Sequence, residues 1–299
     1  MRATQCDPII GGMSQAIPSA HIIVQGVGLI GGSVAAAVRR RQPTCRVTGV
    51  GRSPKRLQAA LTAGLLTDWT HTLRQTSVDP NAIVVVCLPV DLIPEAVIEA
   101  AEATSNDVLI TDAGSVKQSV QDGVADSEAA ADRFVGAHPI AGGEKNGFEF
   151  ADSELFVNRP CIVTASAAGP ELEQRCQDFW RSLGARVSVL DSQEHDRALA
   201  LTSHLPHVMA AITVGCLEPQ DLSFVGTGFR DSTRVAAGDP VLWQQILCSN
   251  RTQVLNAISK AEAGLAELSA ALRDGDQQAV TAYLDRAAQL RRTVQVSGA

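Results

Sequence analysis

Six residues constrain this chain more than any others. Gly26-Val27-Gly28-Leu29-Ile30-Gly31 follows a short β-type run, Ile22-Ile23-Val24, and leads into an Ala/Val-rich helical stretch from about Leu29 to Arg41. A G-x-G-x-x-G between a strand and a helix opens a βαβ unit built to hold a dinucleotide. Gly26 permits the tight turn, Gly28 lets a pyrophosphate approach the main chain, and Gly31 lets helix and strand pack closely. The helix N-terminus adds N–H donors and partial positive charge for the phosphates. Arg39-Arg40-Arg41 at the other end of that helix complements its dipole.

The pattern continues as alternating short apolar runs and helical stretches. Arg46–Val50 reads as a strand, and Ser53 with Pro54 as a helix start. Ala82–Leu88 is continuously apolar, as a strand covered on both faces should be, and Pro89 stops it. Val108–Asp112, Phe134–Ala137, Cys161–Thr164 and Arg186–Leu190 are further strands, with a helix from about Pro170 to Leu183 before the last. Repeated βα alternation implies a Rossmann-type, doubly wound parallel sheet with helices on both faces. After about Asp191 the strands cease. Glu194 to about Leu217 is helical, Leu242 to about Arg273 reads as one long helix, and a last helix runs to about Thr293. The apolar stripe Val254, Leu255, Ile258, Leu265, Leu268 and Leu272 could pack on the chain itself or on a second subunit. The expected organisation is a flexible tail at 1–19, a nucleotide-binding domain at 20–190 and an all-helical domain at 191–299. A length of 299 residues suits two domains of about 150 each.

Composition narrows the class. At 45% hydrophobic and 19% charged the chain is too apolar to be disordered. A net charge of −7 argues against a nucleic-acid partner. Seven cysteines with no C-x-x-C, several in apolar runs such as the one holding Cys87, read as buried, reduced thiols of a cytoplasmic protein, with no zinc site. No apolar run approaches the roughly 18 residues of a membrane helix, and residues 1–20 lack the apolar core of a secretory signal.

Where a carboxylate would grip the ribose of NAD, about 20 residues past the glycine turn, this chain has Gly51-Arg52-Ser53. Arg52 can grip or stack over an adenosine phosphate and Ser53 can donate to it, which favours NADP over NAD. Thr111-Asp112-Ala113-Gly114-Ser115-Val116-Lys117 lies at the carboxyl end of a strand, where ligands bind in open α/β sheets. Ser115 there could touch nicotinamide or substrate, or cap a helix. Gly136-Ala137-His138-Pro139 places an imidazole directly after a strand end, suited to taking a proton during hydride removal. In the helical part, His204 and His207 of Thr202-Ser203-His204-Leu205-Pro206-His207 can face one way. Arg234 offers a planar fork for a carboxylate, or an ion pair with Asp231 or Asp239.

Taken in order, GVGLIGGS, TDAGSVK, AHPIAGGEKNGFEFADSELF, TSHLPH and GFRDSTRVAAGDPVLW resemble the prephenate/arogenate dehydrogenase family, from Gly26 to about Asn250. The resemblance implies a nucleotide-binding domain followed by a helical domain that forms a homodimer. It implies oxidative decarboxylation of prephenate, or of arogenate, on the route to tyrosine. It places the catalytic histidine on His138, its partner serine on Ser115 and the substrate-carboxylate arginine on Arg234. His204 and His207 fall in the substrate site with roles undivided, and Glu144 matches an active-site acid of some members. The cofactor set is Gly26, Val27, Gly28, Leu29, Ile30, Gly31, Arg52, Ser53, Leu88, Pro89 and Ser115. Some members carry a regulatory amino-acid-binding domain or a fused chorismate mutase. Neither is expected in a chain ending at Ala299, while direct inhibition by tyrosine at the active site stays open. Two other readings compete: another two-domain NADP oxidoreductase acting on a β-hydroxyacid or an imine, and a catalytically silent NADP sensor. The first uses a catalytic Lys or other motifs in the helical part, where this chain has TSHLPH and Ser232-Thr233-Arg234, and the second needs no proton acceptor.

Overall fold

The computed structural model describes residues 16–143 and 145–296. Six parallel strands form the first sheet: β1 (His21–Gln25), β2 (Arg46–Val50), β3 (Asp68–Thr70), β4 (Ile83–Val86), β5 (Leu109–Asp112) and β6 (Phe134–Val135), in the order β3-β2-β1-β4-β5-β6. Helices α1 (Leu29–Arg41), α2 (Pro54–Thr62), α3 (Ile93–Ala103), α4 (Gln118–Val124) and α5 (Glu128–Ala131) run between them. Strand residues alternate between two cores. Ile22, Val24, Ile83, Val85 and Leu109 join α1 on one face, while Ile23, Val84, Val86 and Ile110 join α3 and α4 on the other. The sheet is therefore wrapped on both sides, as the continuously apolar strands require.

The chain order reverses between β1 and β4, and ligands of open α/β sheets settle at such a switch point. The Gly26 turn and the Cys87-Leu88 segment meet there. Gly26 has φ +95°, and a Cβ on it would overlap the Cys87 carbonyl, so only glycine turns the chain here.

At Gly136 the chain departs from the expected single sheet. A side chain there would collide with the Thr164 hydroxyl, so glycine lets the backbone leave β6 and enter a second sheet. That sheet has the order β7 (Ala137–Pro139), β8 (Pro160–Thr164), β9 (Arg186–Leu190), with β7 antiparallel to β8 and β9 parallel to it. Helix α6 (Gly169–Ser182) connects β8 to β9 and buries Phe179 and Trp180. His138 consequently sits within a strand, opposite Ile162, and not after a strand end.

Beyond β9 the chain is helical: α7 (Ser192–Leu199), a wider π turn at Ala200–His204, α8 (Leu205–Gly215), α9 (Thr227–Thr233), α10 (Pro240–Ser249), α11 (Arg251–Arg273) and α12 (Gln277–Val296). The π turn has a cause in sequence: Pro206 has no N–H to donate to the preceding turn, and its ring crowds the carbonyl four residues back. The long helix expected from Leu242 to Arg273 breaks at Asn250 into α10 and α11.

Three further expectations change. Ile17 is buried and Ser19 Oγ donates to the carbonyls of His21 and Asn81, so this part of the expected tail belongs to the fold; residues 1–15 lie outside the described residues. Cys216 and Cys248 are exposed, although Cys45, Cys161 and Cys176 are buried thiols. Ser192–Gly215 forms one 24-residue helical run that contains an 18-residue window with a mean hydropathy of 1.3, long and apolar enough to cross a membrane by those measures. Its residues His195, Asp196 and His204 are buried and hydrogen-bonded to other elements, which makes it a helix of this fold.

Candidate active site

The switch point opens into a cleft of about 520 Å³, lined by Gly26, Val27, Gly28, Arg52, Leu88 and Pro89 among others. Gly28 caps α1 without a side chain, and a Cβ built on it would meet nothing within 4 Å. Its main chain thus lies open to a ligand, while Gly31 is pressed against Gly26 and Val24. Bare N–H groups at the start of a 13-residue helix, facing a long cleft, fit a pyridine dinucleotide. Leu29 and Ile30 lie half-buried in the first turn of α1, outside the cleft lining.

Arg52 and Ser53 stand at the carboxyl end of β2, on the cleft wall with Arg56 and His71. Ser53 Oγ accepts from Arg56 N at 3.4 Å, capping α2, which leaves its O–H available to donate outward.

The second half of the site is a histidine cluster. His138 Nδ1 lies 2.9 Å from His195 Nε2, and His195 Nδ1 lies 2.8 Å from Asp196 Oδ1. Hydrogen-bond logic assigns the protons. A carboxylate only accepts, so His195 carries its proton on Nδ1 and offers a lone pair at Nε2. His138 must then donate from Nδ1, which leaves the lone pair of His138 Nε2 directed away from the relay. Burial pushes the His138 imidazole well below its ordinary range, and His195, Lys117 and His204 push it the same way. His138 is therefore neutral near pH 7 and can accept a proton at Nε2.

Both ends of this relay are braced. Asp196 takes the main-chain N–H groups of Lys117 at 2.8 Å and Gln118 at 3.0 Å, at the N-terminus of α4 where a carboxylate is favoured. Asp112 and Lys117, both within the Thr111–Lys117 motif, form a buried ion pair. Asp112 Oδ1 accepts from Ala137 N at 2.9 Å and Lys117 Nζ donates to the Ala137 carbonyl at 2.9 Å, so the pair holds the peptide groups next to His138. Ser115 is half-buried in the turn between them.

From the helical part, His204 is buried and His207 nearly so, flanking Trp243 of α10. The His207 ring stacks on the indole, with centroids 3.5 Å apart and planes at 14°, and His204 meets it edge-on at 6.3 Å. Four of the chain's six histidines thus gather at one seam. Arg234 is exposed just past α9. Glu144 lies outside the described residues.

Sequence reasoning missed His195 and Asp196, and gave no role to Asp112, Lys117, Trp243 or Asn250. An adjacent His-Asp pair in the first helix after the last strand was the available signal.

The sequence model of the prephenate dehydrogenase nucleotide-binding domain matches residues 34–189, and that of the prephenate dehydrogenase dimerization domain matches residues 191–286. The chain is 34% identical over 266 residues to a cyclohexadienyl dehydrogenase of Zymomonas mobilis, covering 86% of this chain and 90% of that protein. It is 32% identical over 243 residues to a prephenate dehydrogenase of Bacillus subtilis, covering 79% of this chain and 65% of the relative. Among solved structures it resembles Aquifex aeolicus prephenate dehydrogenase in complex with hydroxyphenyl propionate and NAD+, with a TM-score of 0.83, 28% identity and coverage of 92% and 98%. It also resembles Synechocystis arogenate dehydrogenase, with a TM-score of 0.78, 26% identity and 92% of this chain covered against all but a hundredth of the other.

Proposed function

Because this chain belongs to the prephenate dehydrogenase family, we propose that it oxidises prephenate with loss of carbon dioxide, giving 4-hydroxyphenylpyruvate, and that it takes NADP in preference to NAD. The observation that carries this reading is the His138–His195–Asp196 relay, which leaves a neutral imidazole with one lone pair directed away from the relay, on the edge strand of the second sheet just after the chain leaves the nucleotide-binding one. When bound, the nicotinamide supplies the hydride acceptor. His138 Nε2 takes the proton of the ring hydroxyl as the C–H electron pair leaves as hydride. The O–H electron pair closes to the second bond of a carbonyl at that carbon. This carbonyl is an electron sink for the ring position bearing the carboxylate: the C–C bond to the carboxylate breaks, its electron pair moves through the ring onto the carbonyl oxygen, carbon dioxide departs, the ring becomes aromatic, and the phenolate oxygen takes back the proton held on His138. Aromatisation drives the reaction, so the protein's task is positioning and proton acceptance. His195 and Asp196 stabilise the imidazolium that His138 becomes. Arg234 holds a substrate carboxylate, His204 and His207 line the substrate pocket, and Ser115 orients the reacting hydroxyl beside His138.

The NADP preference rests on Arg52 and Ser53, with no carboxylate at the end of β2 and with Arg56 and His71 on the same wall. Arogenate is the second substrate reading, favoured by the relatives named cyclohexadienyl and arogenate dehydrogenase. A homodimer through the helical domain fits the matched dimerization domain and the exposed Leu255, Leu265, Leu272, Leu284 and Leu290 on α11 and α12. One experiment tests all but the last: initial rates of nicotinamide reduction with prephenate and with arogenate, each with NADP and with NAD. Rapid reduction with prephenate and NADP is expected. No reduction with any combination defeats the activity, and faster reduction with NAD defeats the cofactor reading.

A further inference from the structure

Asn250 stands at the break between α10 and α11, where an asparagine would ordinarily cap the following helix. Its side chain makes no such cap. It is buried, and Nδ2 donates to the Asp196 main-chain carbonyl at 2.8 Å while lying 3.2 Å from His204 Nδ1. A carbonyl only accepts, so the group facing Asp196 is the amide nitrogen and not the amide oxygen. Nitrogen of an amide does not accept, so its second N–H points to a lone pair on His204 Nδ1. The His204 proton must then sit on Nε2.

We propose that Asn250 is a positioning residue of the proton-transfer site: one amide anchors the Asp196 end of the relay and fixes His204 as the Nε2–H tautomer. The consequence is a division of labour among neighbouring imidazoles. His138 presents a lone pair and accepts a proton, whereas His204 presents an N–H and donates to an oxygen of the substrate, without competing for the hydroxyl proton. Burial holds His204 down to about 4, so the ring stays neutral and the tautomer matters. Helix α10 carries Trp243 against His204 and His207, ends on Asn250, and also reaches the nucleotide domain through Gln245 to Asp91 at 3.2 Å and through buried Ile246. One helix and its C-cap thereby join His204, His207 and the Asp196 end of the relay.

The inference rests on the base assignment for its role in turnover, but its structural core does not. Nitrogen-15 chemical shifts of histidine-labelled protein without substrate read the tautomer directly, with His204→Gln used to assign the resonance. The expected result is a neutral His204 protonated on Nε2. Asn250→Asp replaces the donor with an acceptor facing His204 Nδ1. It should move the proton to Nδ1 and lower kcat by about 10-fold or more, with little change in NADP affinity. Asn250→Ala should lose the tautomer preference. A wild-type His204 protonated on Nδ1 overturns the proposal even where the variants fail to fold. So does an Asn250→Asp protein that keeps the Nε2 tautomer or keeps wild-type kcat. A wild-type Nε2–H tautomer together with full turnover of His138→Asn would defeat the base assignment and leave the Asn250 geometry standing.

Discussion

The cleft at the glycine turn and the histidine seam solve different problems with different materials. The cleft recognises its ligand largely through main chain: bare N–H groups at the start of α1, an open face at Gly28, and a turn that only Gly26 can make. These main-chain parts lie within a few residues of one another, and Arg52, Ser53, Leu88 and Pro89 complete the wall from the ends of neighbouring strands. The seam is made of side chains joined over long sequence separations: His138 to His195 spans 57 residues and Asp196 to Lys117 spans 79. A main-chain site is set once the βα unit folds. A side-chain relay exists only when the second sheet, α7 and α10 have all docked, so it should be the more sensitive to substitution and to pH.

The largest effect expected is on His138→Asn. Turnover should fall by about 10² to 10⁴ while NADP binding, measured by fluorescence titration, stays near the wild-type value. Equal losses of binding and turnover would erase the contrast between the two regions. Asp196→Asn comes next. Without a carboxylate acceptor, His195 loses its fixed tautomer, and kcat should drop at least about 10-fold, less than for His138→Asn. Differential scanning fluorimetry should also show a lower Tm, because Asp196 satisfies two N–H groups of α4. Arg52→Ala tests the other region. It should weaken NADP by roughly 10- to 100-fold, the worth of a charge-assisted hydrogen bond, and leave NAD and kcat almost untouched.

The smallest effect is in pH dependence. His138, His195 and His204 have folded-state values below the ordinary 6.5 because burial disfavours their charged forms. The unfolded chain therefore binds more protons as the pH falls below about 6.5. The stability from neutral burial is complete above that pH and is lost progressively toward the folded-state values, which for His204 is about 4. Tm should decline through this window, and His204→Gln should flatten the decline. The acid limb of kcat/KM should likewise lie below 6.5.

Legibility in the sequence follows the same divide. Helix Leu29–Arg41 and strands Arg46–Val50 and Arg186–Leu190 were readable because glycine spacing and apolar runs are local signals. β3 was not, since Asp68-Trp69-Thr70 is three residues with no alternation to see. The second sheet escaped notice because nothing near Gly136 announces that its hydrogen atom faces Thr164. His138 could be singled out from its Pro-flanked motif, but its relay could not. His195 and Asp196 look like an ordinary helix start until α7 is laid against β7 and α4. Asn250 was hidden inside a stretch read as one helix from Leu242 to Arg273, although it stands where the spacing of Leu242, Ile246 and Val254 would put an apolar residue.

The most direct test is the structure of the ternary complex with NADP and a hydroxylated, non-decarboxylating prephenate analogue. His138 Nε2 should lie about 2.6–3.2 Å from the ring hydroxyl, or one water away, with Nδ1 still on His195. A ring flipped so that Nε2 faces His195, or a hydroxyl beyond water-bridged reach of His138, would contradict the assignment of this imidazole as the proton acceptor.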